Sequence, residues 1–307
     1  MSQKTVNSQQ PVISKKKQPF VSVCTPTFNR RPFIPYLIKC FQNQIYPKEK
    51  MEWIIVDDGS DPIGDLVKDI PQVKYFRVET KMNLGKKRNF MHSKCSGEII
   101  VYMDDDDYYP PERVSHAVDC LVKHPEYLIA GSSEMHIYFD SHKKIYQFGP
   151  YSENHSTAAT FAFRKKLLKK TKYDEGSFIA EEKQFLQNYK IPLYQMDTTK
   201  VILVCSHCHN SVNKEDLLKT KEQSRVSDSR FTVDDFIKDP ELKEFYTTGV
   251  NDVLKDYDLG KPDKKPGLLK KIDENKANRE KLIQTMTKEN ELDFLKNQIA
   301  FLLQQPK

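Results

Sequence analysis

Long apolar runs, clustered cysteines and a basic stripe are all missing from this 307-residue chain. No stretch approaches the eighteen or so apolar residues of a membrane-spanning helix, so any membrane contact is expected to be peripheral. The six cysteines, at 24, 40, 95, 120, 205 and 208, are too scattered for a disulfide scaffold and point to a reducing compartment. Residues 1–18 are polar and lysine-bearing, without the apolar centre of a signal peptide or the Arg/Ser-rich pattern of a transit peptide. They read as a disordered leader on a cytoplasmic protein. Lysine plus arginine exceeds aspartate plus glutamate by only 49 to 43, with the signs mixed throughout. That net charge of +6 fits anionic small ligands better than nucleic acid.

What the chain does have is aromatic residues, 17 Phe and 15 Tyr, enough to fill the core of a large α/β domain. The stretch it is organised around runs Val101-Tyr102-Met103-Asp104-Asp105-Asp106-Asp107-Tyr108-Tyr109-Pro110-Pro111-Glu112-Arg113. An apolar run from Ile99 to Met103 drives into four carboxylates, and the paired prolines stop the strand and favour a helix start at Glu112. The acids therefore belong at the carboxyl end of a buried strand, the edge where open α/β sheets bind ligands. Aspartates ~4 Å apart repel by up to about 4 kcal/mol at an effective dielectric of about 20, unless a cation sits among them. Oxygen-rich sites of this kind suit hard divalent ions. An EF-hand frame fails, because its glycine position would fall on Tyr109 or Pro111 and its final glutamate on Ser115 or Ala117.

Two earlier strands end in the same manner. Phe20 to Cys24 feeds Thr25-Pro26-Thr27-Phe28-Asn29-Arg30 and a helix beginning near Pro32, which leaves backbone N–H groups free for a polar ligand. Trp53 to Val56 runs into Asp57-Asp58-Gly59-Ser60, whose carboxylates can accept from a ribose hydroxyl or a base N–H. Ser60 reads as a helix cap. Val73 to Val78 alternates as a less buried strand. Gly85 then opens a helix carrying Lys86, Lys87 and Arg88 in its first turns, against the helix dipole. A bound diphosphate and a solvated basic face would each account for that placement.

Taken in order, Thr-Pro-Thr-Phe-Asn-Arg, Val-Asp-Asp-Gly-Ser, Asn-Leu-Gly-Lys-Lys-Arg-Asn and Asp-Asp-Asp-Asp-Tyr-Tyr-Pro-Pro-Glu-Arg resemble the family 2 nucleotide-sugar glycosyltransferases, over roughly two thirds of the chain. The resemblance implies a GT-A fold, a Rossmann-like mixed α/β sheet flanked by helices. It also implies an inverting, divalent-metal-dependent transfer of sugar from a nucleoside-diphosphate sugar, a UDP-sugar foremost, to a hydroxyl of a glycan, protein or small molecule. By the same resemblance Thr25, Pro26 and Asn29 line the nucleotide pocket, Asp57 and Asp58 reach the base or ribose, and Lys87 and Arg88 face the base or diphosphate. Asp104 and Asp106 form the DxD element, with Asp106 the foremost ligand of Mn2+ or Mg2+; Asp105 joins the nucleotide-sugar set and, like Asp107, supports more than it ligates. The family carries a Glu-Asp pair where this chain has Glu181-Glu182, which puts the general base on Glu182 with Glu181 as helper. The resemblance further implies that a histidine after the last strand, His207 or His209, completes the metal shell, with His207 the expected ligand.

Further along, Glu112 to Lys123 reads as an amphipathic helix, and Tyr127 to Ala130, Ala158 to Phe163 and Lys200 to Cys205 as short strands. Glu134 to Gln147 reads as a hairpin with His136 and His142 on its solvated face. Cys205 and Cys208 form a CxxC with no second pair, which excludes a zinc knuckle. After Asn213 the composition turns to Lys, Glu, Asp and Asn, with a hinge or linker at Lys261 to Gly267. Leu292, Leu295, Ile299 and Leu302 suggest a packing helix or a short coiled-coil seam through which a homo-oligomer could form. The expected organisation is a leader over 1–18, a GT-A domain over 19–212 and a charged helical extension over 213–307. Two rival readings are a catalytically inert nucleotide-sugar-binding protein and a sugar nucleotidyltransferase. The latter calls for a glycine-rich loop after the first strand, where residues 25–31 contain no glycine.

Overall fold

The structure, a computed structural model, describes residues 18–179, 181–219, 225–274 and, intermittently, 277–288. Its strands are, in chain order, β1 (Val21–Thr27), β2 (Met51–Asp57), β3 (Val73–Arg77), β4 (Ile99–Tyr102), β5 (Ile129–Gly131), β6 (Met135–Phe139), β7 (Lys144–Phe148), β8 (Ala162–Arg164), β9 (Leu193–Gln195), β10 (Val204–Ser206) and β11 (Val226–Asp228). A seven-stranded sheet runs β3-β2-β1-β4-β8-β5-β9, with β1 to β4 parallel and β8 antiparallel to both its neighbours. The expected mixed α/β sheet is therefore present.

The continuous apolar runs are explained by burial on both faces. Ile99 and Val101 of β4 join Val21, Val23, Trp53 and Ile55 on one face, while Ile100 and Tyr102 join Cys24, Ile54 and Val56 on the other. Helices α1 (Ile34–Gln42) and α4 (Arg113–Lys123) cover the first face with Leu37, Phe41, Val114 and Leu121. Helix α2 (Gly64–Val67) is a single turn, and α3 (Leu84–Lys94) brings Met91 to the second face. β1 extends three residues past its expected end, because β2 continues beside it as far as the Thr27–Asp57 pair. From β1 the chain passes to β2 on one side, and β4 pairs on the other. The carboxyl ends of β1 and β4 thus flank a topological switch point, the usual place for a ligand in such sheets.

A second sheet, β10-β6-β7-β11, contains the expected hairpin as β6 and β7. His136 is not on a solvated face, contrary to the pattern of alternation. Residues 229–236 cover that side of the hairpin, leaving His136 fully buried against Phe231 and Phe236, with Nδ1 2.9 Å from Ser229 Oγ. Two of the expected short strands are displaced towards their carboxyl ends, since Ala158–Thr160 and Thr198–Lys200 are single 3-10 turns leading into β8 and β10.

Arg113 closes the end of β4. Fully buried, it donates through Nη2 to the carbonyls of Tyr102 (3.1 Å), Thr160 (3.0 Å) and Phe161 (2.8 Å). Burial pushes its pKa down to about 10, so the charge is held at a cost. Arg113→Ala would leave three carbonyls without that donor and open a cavity, and is expected to destabilise the fold by about 2–4 kcal/mol. A urea midpoint lowered at constant m-value would report it.

Among the described residues beyond Asn213, the chain up to Leu254 packs on the core. Phe236, Leu242, Phe245, Tyr246 and Leu254 pack in the same cluster as Val21 and Trp53. Among the described residues no helix is long and apolar enough to cross a membrane. The expected leader, apart from Gln18, and the seam of Leu292, Leu295, Ile299 and Leu302 lie outside the described residues.

Candidate active site

The loops at the switch point are braced before any ligand is considered. Asn29 adopts a left-handed backbone (φ 52°), and its Oδ1 accepts from the backbone N–H of Asp61 at 3.0 Å. Asp57 accepts from the N–H groups of Gly59 and Ile63 and from the hydroxyl of Tyr75. A Cβ on Gly59 would stand 2.5 Å from Asn29 Oδ1, so this crossing of the two loops requires glycine. Thr25 Oγ1 donates to the Met103 carbonyl and accepts from Trp53 Nε1, tying β1 to both neighbouring strands. Thr25, Asn29 and Asp57, all named from the sequence, thus shape the pocket from behind rather than line it.

The basic residues of α3 divide by direction. Lys86 is exposed, whereas Lys87 and Arg88 are buried and turn towards the acids. Lys87 pairs with Asp58, which also accepts from Lys81 Nζ at 3.2 Å and the Met82 N–H at 2.7 Å. Burial and the nearby Lys81 lower the Lys87 pKa to about 8 despite that partner. Arg88 Nε donates to Glu181 Oε1 at 2.7 Å, and its guanidinium lies 3.5 Å from Asp104. Burial opposes the charge of Arg88, but the two carboxylates outweigh it and hold the guanidinium protonated. Breaking such a buried pair from one side typically costs about 3–5 kcal/mol, which makes Arg88 a fixed post between the acid run and the Glu181-Glu182 pair.

The aspartates do not share one environment. Asp106 lies 3.1 Å from Arg30 Nη2 and 3.3 Å from His207 Nε2. Burial opposes its ionisation, yet Arg30 and His207 hold it well below the usual carboxylate range. Asp105, 3.6 Å from Arg30 Nε, is raised to about 7 by burial and by the charge of Asp106. Asp104 is raised by burial, with Arg88 opposing. Asp107 faces away and accepts from the Cys205 N–H at 3.1 Å, which anchors β10 and so delivers His207, the residue after that strand, to Asp106.

Together Pro26, Phe28, Arg30, Lys81, Lys87, Arg88 and Asp104 to Asp106 line a pocket of about 170 Å3. A larger cavity of about 870 Å3 adjoins it, with Ser211 in both walls and Ile179, His207, Val212 and Leu269 in its own. Of the sequence-derived metal set, Asp106 and His207 come together while Asp104 turns to Arg88. Among the described residues no three His, Cys, Asp or Glu side chains converge on one point. One carboxylate and one imidazole nonetheless fit an ion such as Mn2+ or Mg2+, which commonly takes few protein ligands and fills its shell with water and phosphate oxygens. Burial depresses the His207 pKa to about 4 and keeps the imidazole neutral; Nδ1 accepts from the His209 N–H at 3.2 Å, so Nε2 carries the proton towards Asp106 and would have to yield it before ligating an ion. His209, the alternative, has neither ring nitrogen hydrogen-bonded among the described residues.

Glu181 opens helix α5 (Glu182–Phe185), its carboxylate engaged by Arg88. Among the described residues Glu182 carries no such partner. Burial, then the charge of Glu181, raises its pKa to about 7. The sequence pattern gives Arg30, Lys81 and Lys265 no role of their own. Arg30 closes the Thr-Pro-Thr-Phe-Asn-Arg motif, Lys81 lies just ahead of the α3 motif, and nothing in the spacing marks Lys265.

A family model described as Glycosyl transferase family 2 matches residues 22–189, more than half of the chain. The chain belongs to that family. A 108-residue stretch is 30% identical to poly(ribitol-phosphate) beta-N-acetylglucosaminyltransferase TarS of Staphylococcus aureus, covering 34% of this chain and 19% of TarS. A 111-residue stretch is 33% identical to the GalNAc(5)-diNAcBac-PP-undecaprenol beta-1,3-glucosyltransferase of Campylobacter jejuni, covering 34% of each. The match therefore spans between about a fifth and a third of these relatives' length. Mannosyltransferase PcManGT from Pyrobaculum calidifontis, in complex with GDP-Man and Mn2+, superposes with a TM-score of 0.51 at 15% identity, over 67% of this chain and 62% of that one. TarS 1–349 in complex with UDP-GlcNAc gives 0.50 at 21% identity, over 61% and 58%. At such identities the likeness speaks for the fold, which is GT-A.

Proposed function

We infer that this family 2 chain is an inverting glycosyltransferase, moving a sugar from a nucleoside-diphosphate sugar, a UDP-sugar foremost, to an acceptor hydroxyl. The observation that carries the reading is the meeting at one switch point of the Asp58–Lys87 pair, the Asp104–Asp106 run and the Arg88-linked Glu181-Glu182 pair. The loop after β1 would receive the nucleoside, with Asp58 behind it holding Lys81 and Lys87 in place, and Arg30 and Arg88 would face the diphosphate. Glu182 takes the hydroxyl proton as that oxygen bonds to C1 of the sugar; the C1–O bond to phosphate breaks and its electron pair leaves with the nucleoside diphosphate. A divalent ion on Asp106 and His207, when bound, would neutralise charge on that leaving group. Glu181, held by Arg88, fixes the start of α5 and so the position of Glu182. The larger cavity beside His207 and Ser211 is the proposed entrance for the acceptor. PcManGT, which carries GDP-Man and Mn2+, and TarS, which carries UDP-GlcNAc, support a donor of this class.

The test is a thermal-shift panel of UDP-, GDP-, dTDP- and CMP-linked sugars with and without Mn2+. One nucleotide class is expected to stabilise the protein by about 2–3 kcal/mol at a hundredfold excess over its Kd, and more with Mn2+ than without. Uniformly flat responses would remove the reading.

A further inference from the structure

Part of the donor-pocket wall comes from outside the family-matched segment: Lys265, Pro266 and Leu268 line it. Residues 257–268, to which they belong, are fastened to the loops that build the pocket. The Tyr257 hydroxyl donates to Asp61 Oδ2 at 2.8 Å, Asn29 Nδ2 donates to the Leu259 carbonyl at 3.0 Å, and Arg30 Nη1 donates to the Gly260 carbonyl at 3.0 Å. The approach at Gly260 is close enough that a Cβ there would stand 2.6 Å from the Asn29 carbonyl. Further on, Gly267 takes a left-handed φ of 75° with the ring of Phe178 against it, which brings Pro266 and Leu268 into the pocket wall. The segment that reads in sequence as a linker is a strap.

One charged side chain of this strap enters the pocket. Lys265 lines it beside Arg30, Lys81 and the Asp104–Asp106 run, with Nζ donating to Ser211 Oγ at 2.7 Å. Burial and the neighbouring Arg30 lower its pKa to about 7, so an anion arriving there would favour the charged ammonium. The remaining space, about 170 Å3, is below the ~300–1,000 Å3 usual for a small-molecule site, and Lys265, Pro266 and Leu268 occupy part of its wall.

We propose that Lys265 is a donor-binding residue, its ammonium contacting the diphosphate of the nucleotide sugar, and that strap 257–268 lifts to admit the donor and closes over it. This rests on the donor reading of the pocket. The strap adds to Arg30 and Arg88 a cation that the family-matched segment does not contain, and one that is removed from the site whenever the strap opens. Lys265 would then couple diphosphate binding to closure, since the anion holds down the strap that carries its ligand.

The test is titration calorimetry of UDP and GDP, each alongside its free nucleoside, against the wild type, Lys265→Gln and Lys265→Arg. Glutamine retains a donor for Ser211 without the charge. Lys265→Gln is expected to weaken the preferred diphosphate about tenfold or more, the usual scale for one charged hydrogen bond, while nucleoside affinity stays within about twofold. Lys265→Arg is expected to recover most of the loss. An unchanged diphosphate affinity in Lys265→Gln, or equal losses for diphosphate and nucleoside, would reduce Lys265 to a packing role and overturn the proposal. Wild-type protein that binds neither diphosphate would overturn the donor reading itself, and the proposal with it.

Discussion

Glu182→Gln is expected to lower kcat by about 10^2–10^4, the usual range for a positioned general base, while leaving donor affinity within a factor of about two. The separation follows from where Glu182 sits. It is next to the Arg88–Glu181 pair at the head of α5, with no side-chain partner among the described residues whose loss would disturb the nucleotide pocket, so its removal subtracts a proton acceptor and little else. Glutamine preserves shape and polarity. Glu182→Asp keeps the carboxylate but withdraws it by one methylene, and should retain a measurable part of the activity. Single-turnover rates alongside calorimetric donor affinities distinguish the two effects. Should Glu182→Gln turn over at the wild-type rate, the base is elsewhere, and Glu181 is a poor substitute because its carboxylate is committed to Arg88.

The pH dependence carries the same assignment. Glu182 is raised to about 7 by burial and by the charge of Glu181. A base works only when deprotonated, so the rate at saturating donor, which holds Lys265 in its charged form, should climb about tenfold per pH unit below 7 and level off above it. Asp105 is also raised to about 7, by burial and by Asp106, so the limb alone does not name the group. Replacement does. Glu182→Gln should flatten the limb, whereas Asp105→Asn should leave it in place.

How far the sequence carries depends on whether a residue's neighbours lie close in the chain. The Asp104–Asp107 run could be placed at a strand tip because the apolar residues before it and the prolines after it are local signals. The same holds for Lys87 and Arg88, whose position against the helix dipole marked them, and burial beside Asp58, Asp104 and Glu181 gives the physical account. Local pattern does not distinguish a side chain that lines a pocket from one that braces it. Thr25, Asn29 and Asp57 have the polarity of ligand contacts, yet their hydrogen bonds go to Met103, Asp61, Gly59 and Ile63. His136 alternates as a surface residue would, and is covered by chain that comes some ninety positions later. Lys265 is further still from legible. Its neighbours in sequence are those of a polar linker, and it is brought to the site by contacts distant in the chain, such as those of Asn29 and Arg30 with Leu259 and Gly260, 230 residues away.

Asp106→Asn is expected to abolish turnover, with a fall of about 10^3-fold or more, and to remove the part of nucleotide affinity that depends on Mn2+. Asparagine keeps the shape of the side chain, so the loss reads the charge. Two cationic or proton-donating groups, Arg30 and His207, already converge on Asp106, and they hold it ionised where Asp104 and Asp105 are pushed towards the neutral form. Within the run it is therefore the carboxylate most able to offer a full negative charge to a metal. Neutralising it should also relieve Asp105, whose pKa Asp106 raises, and a fall in the Asp105 pKa would show that the substitution changed the field without unfolding the loop. His207→Ala should weaken Mn2+ dependence by less, since the stronger ligand remains. Titration of Mn2+ and UDP into Asp106→Asn gives the decision: affinity for UDP that still rises with Mn2+ as in the wild type would take the ion away from Asp106, and with it the reading of the acid run as the metal-bearing edge of the pocket.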